Sequence, residues 1–214
     1  MSAPNPATVW SRIYDDVKIQ IPGVTDAVFK QILAQVWSDF TDRTNIWTEV
    51  CPITVDPSTL QYPFTINKFG MANRLMLVYD TAAMPPSLNW VQNGIQMDVP
   101  GVITLLYPPN AGTWNVVVAK SFDDVDANGY PEIDPTDQWI IQKYGDGLHY
   151  GVLGRLQAMP AKPYSNPKLG GANWQYYIVE RSKARADALK SNVYGGQRWQ
   201  FPQSFAVFHR KGWT

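Results

Sequence analysis

The hydrophobic pattern changes period twice along this chain, and that change limits the fold more than any other feature. Val28, Phe29, Ile32, Leu33, Val36, Trp37 and Phe40 recur three and four residues apart, which puts them on one face of a helix. Trp47, Glu49, Cys51, Ile53 and Val55 then alternate with their neighbours, as strand residues do. After Asp134-Pro135 the helical spacing returns in Trp139, Ile140, Tyr144, Leu148, Val152, Leu156 and Met159. A chain that reads helix, strands, helices is predicted to be α+β.

Boundary residues sharpen this reading. The first strong helix is predicted over 25–44, after Pro22-Gly23, with Thr25 capping the free amides and Asp26 at the positive end. A shorter, weaker helix is predicted over Ala7–Ile19. A long helix is expected over 135–159, stopped by Pro160 and Pro163. It keeps Gly145, Gly147, Gly151 and Gly154, each costing up to ~1 kcal/mol against alanine. Such a helix needs close backbone approach to another helix, or it breaks near Gly145. Asn166-Pro167 opens a last helix, 167–194, that runs through Ala172, Tyr176, Ile178, Ala184, Ala186 and Leu189 to Gly195-Gly196. Glu180, Arg181, Lys183, Arg185 and Asp187 suggest one solvated face.

Between the helices, β-rich runs at Arg74–Asp80, Val102–Tyr107 and Trp114–Ser121 join the first strand, and one small antiparallel sheet is expected. Asn93-Gly94 reads as a two-residue hairpin turn. Pro108-Pro109-Asn110-Ala111-Gly112 reads as a longer hairpin connection. The predicted organisation is a long-helix bundle from 1–45 and 131–196, an inserted β-rich lobe over 46–130, and an extended C-terminal arm over 197–214.

Composition limits the classes of function. Hydrophobic residues are 45 % of the 214, with 9 Trp, 11 Tyr and 8 Phe, so a substantial core can form. Charged residues are 17 %, below the ~25 % of an average soluble domain, which fits a surface partly covered by neighbours and excludes disorder throughout. Basic and acidic side chains balance at 18 each, which argues against sequence recognition of nucleic acid. Cys51 is the only cysteine, so neither an intramolecular disulfide nor a cysteine-based metal cluster can form. Met1–Asn5 lacks the pattern of a secretory signal, and no run approaches the ~20 apolar residues of a membrane span. The expectation is a soluble protein made in a cytoplasm.

Signals for chemistry are weak. Asp124, Asp126, Asn128, Gly129 and Tyr130 match the start of an EF-hand loop, but the twelfth position, which should be Glu, is Pro135. A solvated turn explains them better. His149 and His209 are the only histidines, without zinc-ligand spacing. Cys51 reads as a buried structural thiol. No carboxylate pair stands out, and no glycine-rich segment has the order of a phosphate loop. No catalytic, cofactor-binding or metal-ligating residue is assigned, and no enzyme activity is expected. The tail holds Trp199, Phe201, Phe205, Phe208 and Trp213. These rings either fold back on the helical core or dock on a partner as an arm, with Arg210 and Lys211 reaching acidic groups there.

The ordered combination from Ile133-Asp134-Pro135 to Trp174 resembles the C-terminal helical signature of podovirus-type bacteriophage head–tail adaptor (connector or neck) proteins. It comprises Tyr144, Gly147, Gly151, Arg155-Leu156, Met159-Pro160, Lys162-Pro163-Tyr164-Ser165-Asn166-Pro167 and the aromatic helix that follows. Upstream, the helix after Pro22-Gly23 that ends near Arg43-Thr44-Asn45-Ile46-Trp47, and the β-rich insertion, agree. The similarity spans roughly residues 20 to 196. It implies a non-enzymatic virion protein forming a homo-oligomeric ring, generally of twelve copies, below the portal protein and above a tail nozzle or tail-tube protein. Genomic DNA would pass through without sequence recognition. The resemblance further implies protomer packing through Gly147, Gly151, Gly154 and Arg155. The portal-docking arm would comprise Trp199, Phe201, Phe205, Phe208, Arg210 and Trp213. Other readings are a stopper, tail-tube or nozzle protein, a glycan-binding tail module, or a virion-associated wall hydrolase.

Overall fold

A computed structural model describes residues 9–66, 69–81, 94–107 and 110–191. The chain is mixed α+β. Four α-helices and two small antiparallel sheets lie among the described residues. The helices are α1 (Ser11–Gln20), α2 (Asp26–Thr44), α3 (Trp139–Ala158) and α4 (Pro167–Ser191). The strands are β1 (Thr48–Val55), β2 (Gln61–Pro63), β3 (Met71–Asp80), β4 (Ile95–Val99), β5 (Val102–Leu105) and β6 (Gly112–Ser121).

The helices share one apolar cluster built on large rings. Trp10 meets Trp37 edge-on at 5.4 Å between centroids, and Trp37 also contacts Phe40 and Trp47 at 6.0 and 5.7 Å. All four rings are buried, as are Leu33, Val36, Leu148, Val152 and Leu156 from the two periodic stripes. Trp10 Nε1 donates to the Pro131 carbonyl at 3.0 Å, so burying that indole leaves no unpaired donor. Thr25 does not cap α2 through its side chain. The Asp26 carboxylate instead accepts from Tyr14 Oη and Lys18 Nζ, both at 2.8 Å, tying α1 to the start of α2. Asn45, with φ 53°, ends α2 in the left-handed conformation that asparagine tolerates.

The β region differs from the single sheet expected. β6 is the centre of one sheet, ordered β1-β6-β3, and β5 is the centre of the other, ordered β2-β5-β4. Among the described residues, the strands that flank the two expected hairpin connections do not pair with each other. β5 and β6 pair with different strands, and Pro108 and Pro109 between them lie outside the described residues. β3 and β4, on either side of Asn93-Gly94, also belong to different sheets, and Asn93 is outside the described residues. The tight turn falls at Pro100-Gly101, where Val99 pairs with Val102 and Gly101 takes φ 84°, a value glycine adopts without Cβ strain. Cys51, Ile53 and Val55 do point inward on alternate positions of β1. They share a second core with Val116 and Val118 of β6 and with Tyr62, Ile103 and Leu105 of the other sheet.

The two cores meet along a narrow polar seam. Buried Lys120 on β6 reaches Glu49 at 3.0 Å and Asp137 at 3.4 Å, with its ammonium 4.6 Å from the Trp47 ring. Trp47 Nε1 donates to the same Asp137 carboxylate at 2.6 Å, and the Lys120 amide donates to the Trp47 carbonyl at 2.7 Å. Asp137 sits in the 3₁₀ turn Pro135–Asp137 that leads into α3.

Candidate functional site

The glycines of α3 explain how the last two helices pack. α3 is continuous through Gly145. A Cβ at Gly154 would lie 3.0 Å from the Trp174 amide nitrogen and 3.2 Å from the Gly170 carbonyl. A Cβ at Gly151 would lie 2.7 Å from Val36 Cγ1 and 2.9 Å from the Tyr177 ring, and one at Gly147 would lie 2.7 Å from Glu180 Cβ. All three glycines are buried against helices of their own chain. Gly147, Gly151 and Gly154, expected to pack protomer to protomer, make their close approach to α2 and α4 of their own chain. Sequence gave the physical need for close approach but not which helix meets it.

Arg155 is half-buried and faces a different direction. Its guanidinium lies 5.1 Å from the Trp174 ring centroid and donates to Gln35 Oε1 at 3.2 Å. It borders a broad groove of about 1020 Å³ between the outer face of α2 and the loop 122–129, lined also by Lys30, Ala34, Phe122 and Val125. On that loop Asp126 Oδ1 accepts from the amides of Asn128 at 2.9 Å and Tyr130 at 2.7 Å. The EF-like residues are thus engaged in turn chemistry. No grouping of three or more His, Cys, Asp or Glu suited to a metal occurs among the described residues.

A charged hub fixes α4 on α2. Asp39 accepts from Tyr177 Oη at 2.7 Å, from Arg181, and from Arg43 at 2.9 Å. Burial pushes the Asp39 carboxyl up, but the three donors together outweigh it and hold the group below the ordinary carboxylate value. Burial, then the hydrogen bond to Asp39, raises the Tyr177 phenol. Arg181 is therefore not part of the solvated face expected for α4. Asp187 is also engaged, accepting from Lys143 Nζ and Tyr144 Oη at 2.8 Å. Burial lowers His149 on α3 despite nearby Asp16 and Asp146.

α4 carries two seams. Gly170, Asn173, Tyr177, Ala184 and Ala188 are buried. On another face, Leu169, Ala172, Tyr176, Val179, Ala186 and Leu189 are exposed at spacings of three, four and seven residues. That is a second apolar stripe along most of the helix, interrupted near Lys183. The two stripes merge in the sequence, because a helix apolar on two faces shows little net periodicity. The aromatic residues Trp199, Phe201, Phe205, Phe208 and Trp213, with Arg210 and Lys211, lie outside the described residues, as do Gly195 and Gly196. The chain matches no protein-family model, and no curated protein matches it in sequence.

Proposed function

We propose that this chain is a structural virion protein, a head–tail adaptor whose copies form a ring of about twelve below a phage portal and continue the DNA channel into the tail. The observation that supports it most is the exposed stripe of α4. Tyr176, Val179 and Leu189 are each more than half exposed on a helix whose other seam is already filled. Apolar residues repeated along a helix are an assembly surface more often than a solvated one. In this reading the helices form a bundle, a second copy covers the α4 stripe, and Arg155 lies near the ring contact. Residues 197–214 form the arm that docks on the portal through Trp199, Phe201, Phe205, Phe208, Arg210 and Trp213. The β-rich lobe faces a nozzle or tail-tube protein, and Val99 on β4 with Leu106 and Tyr107 just after β5, all exposed, are the surface it offers. The role requires no catalytic residue, cofactor or membrane contact, and it locates the protein in the virion neck after synthesis in the host bacterial cytoplasm.

The test mixes the protein with the portal ring of the phage that encodes it and records native mass spectra and electron micrographs. A portal-bound ring, lost on deletion of residues 197–214 and weakened by Val179→Glu, supports both the adaptor and its arm. A ring that survives the deletion keeps the adaptor role and returns the tail to the core. Absence of binding moves the protein to a more distal tail position.

A further inference from the structure

Four arginines from three elements line one small pocket: Arg43 at the end of α2, Arg74 on β3, and Arg181 and Arg185 on α4. Asp42, Asn45 and Ser182 complete a space of about 300 Å³. The carboxylates nearby do not balance this charge. Asp39 is shared between Arg43 and Arg181. Asp42 accepts from Asn73 Nδ2 at 3.4 Å, and burial, then the neighbouring Asp39, raises its carboxyl above the ordinary value. Among the described residues, neither Arg74 nor Arg185 has a carboxylate partner. With both aspartates ionised, the pocket keeps two net positive charges in a protein whose formal charge is zero.

Guanidinium groups converging without matched carboxylates repel one another unless an anion lies between them. Their planar donor forks fit the oxygens of phosphate. We infer that this pocket binds a phosphate group, free or carried on a nucleic-acid backbone. Arg74 and Arg185 would contact the oxygens, and Asp39 would position Arg43 and Arg181 beside them. The size of the pocket suits one phosphate group rather than a long polyanion track, in keeping with the neutral chain. The site belongs to a single copy and does not depend on ring assembly.

The test uses the full chain alone. Thermal shift is measured with inorganic phosphate against chloride at matched ionic strength, and anisotropy with labelled single-stranded and duplex oligonucleotides. Poly-glutamate serves as the carboxylate control. Stabilisation by phosphate and binding of oligonucleotide, each weakened about tenfold by Arg74→Ala or Arg185→Ala and unchanged by Lys183→Ala, establish the site with a backbone phosphate as its source. Phosphate stabilisation alone, with the same loss, assigns a free phosphate. Equal binding of poly-glutamate overturns the inference in favour of an acidic protein partner. No response in the parent protein, or a response that survives both substitutions, overturns it outright. Circular dichroism checks each variant. If Arg74→Ala misfolds, Arg185→Gln on the exposed face of α4 decides the matter. Failure of this pocket leaves the portal experiment untouched.

Discussion

The helical part and the β lobe of this protein bury apolar surface in opposite ways. In the helical part, backbone approaches backbone: Gly154 lies against Trp174 and Gly170, and the remaining space is filled by Trp10, Trp37, Trp47 and Phe40. In the lobe, small and branched side chains from two sheets interdigitate, with Val116, Val118, Ile53 and Ile103 at the centre. The first arrangement depends on specific atoms being missing, while the second depends on volume alone. The first should therefore tolerate substitution less well, because added atoms at a backbone contact cannot be accommodated by a rotamer change.

The largest expected effect breaks the seam between the two cores. Lys120→Met removes the buried cation that Glu49 and Asp137 share, and breaking a buried pair of this kind costs about 3 kcal/mol. Helix content followed by circular dichroism and lobe amides followed by hydrogen exchange should then unfold at different urea concentrations. Coincident transitions in the variant would show that the apolar contacts of α2 with β6, rather than the seam, couple the cores.

Glycine-to-alanine substitutions come next and carry opposite signs. Gly154→Ala gains helix propensity but drives a methyl into the α4 backbone, for a net loss of about 1–3 kcal/mol in urea unfolding. Gly145→Ala meets nothing within 4 Å, so propensity alone acts and should stabilise by up to ~1 kcal/mol. Equal effects at the two positions would remove close packing as the reason for glycine in α3.

Smaller still is the acid response of the hub that joins α4 to α2. The Asp39 carboxyl is lower in the folded protein than in the unfolded chain. Its contribution is therefore complete above the unfolded carboxylate pKa of ~3.9 and is lost as pH falls below that value towards the lower folded one. Stability measured by urea unfolding from pH 5 to pH 3 should fall more steeply in the parent than in Asp39→Asn. Parallel curves would mean that Arg43, Arg181 and Tyr177 do not favour the ionised form.

Much of this fold was legible in the sequence, for identifiable reasons. The α2 stripe from Val28 to Phe40 and the alternation from Cys51 to Val55 are one-face patterns, and period alone reads them. The partition of the strands into two sheets was not legible. β2 and β4 are three and five residues long, and strand pairing is a long-range choice that local turn residues such as Asn93-Gly94 do not decide. The arginine pocket escaped for the same reason: Arg43, Arg74 and Arg185 are separated in the chain and meet only after α4 docks. Arg181 and Arg185 looked alike as members of a charged run, yet Arg181 is held by Asp39 and Arg185 is not.

Cys51 offers the gentlest test of the contrast between the two cores. It is the only cysteine of the chain, and it is buried in the lobe. Burial, then the nearby Glu49 carboxylate, pushes its thiol up to about 11. At neutral pH a thiol reagent should therefore label the folded protein only through opening of the lobe. Gly154→Ala weakens a contact between α3 and α4, so it should leave the labelling rate close to that of the parent. Lys120→Met, which acts on the seam, should raise it. A rise of similar size in both variants would show the lobe and the helices opening as one cooperative unit, and their different packing would then be two styles within a single fold.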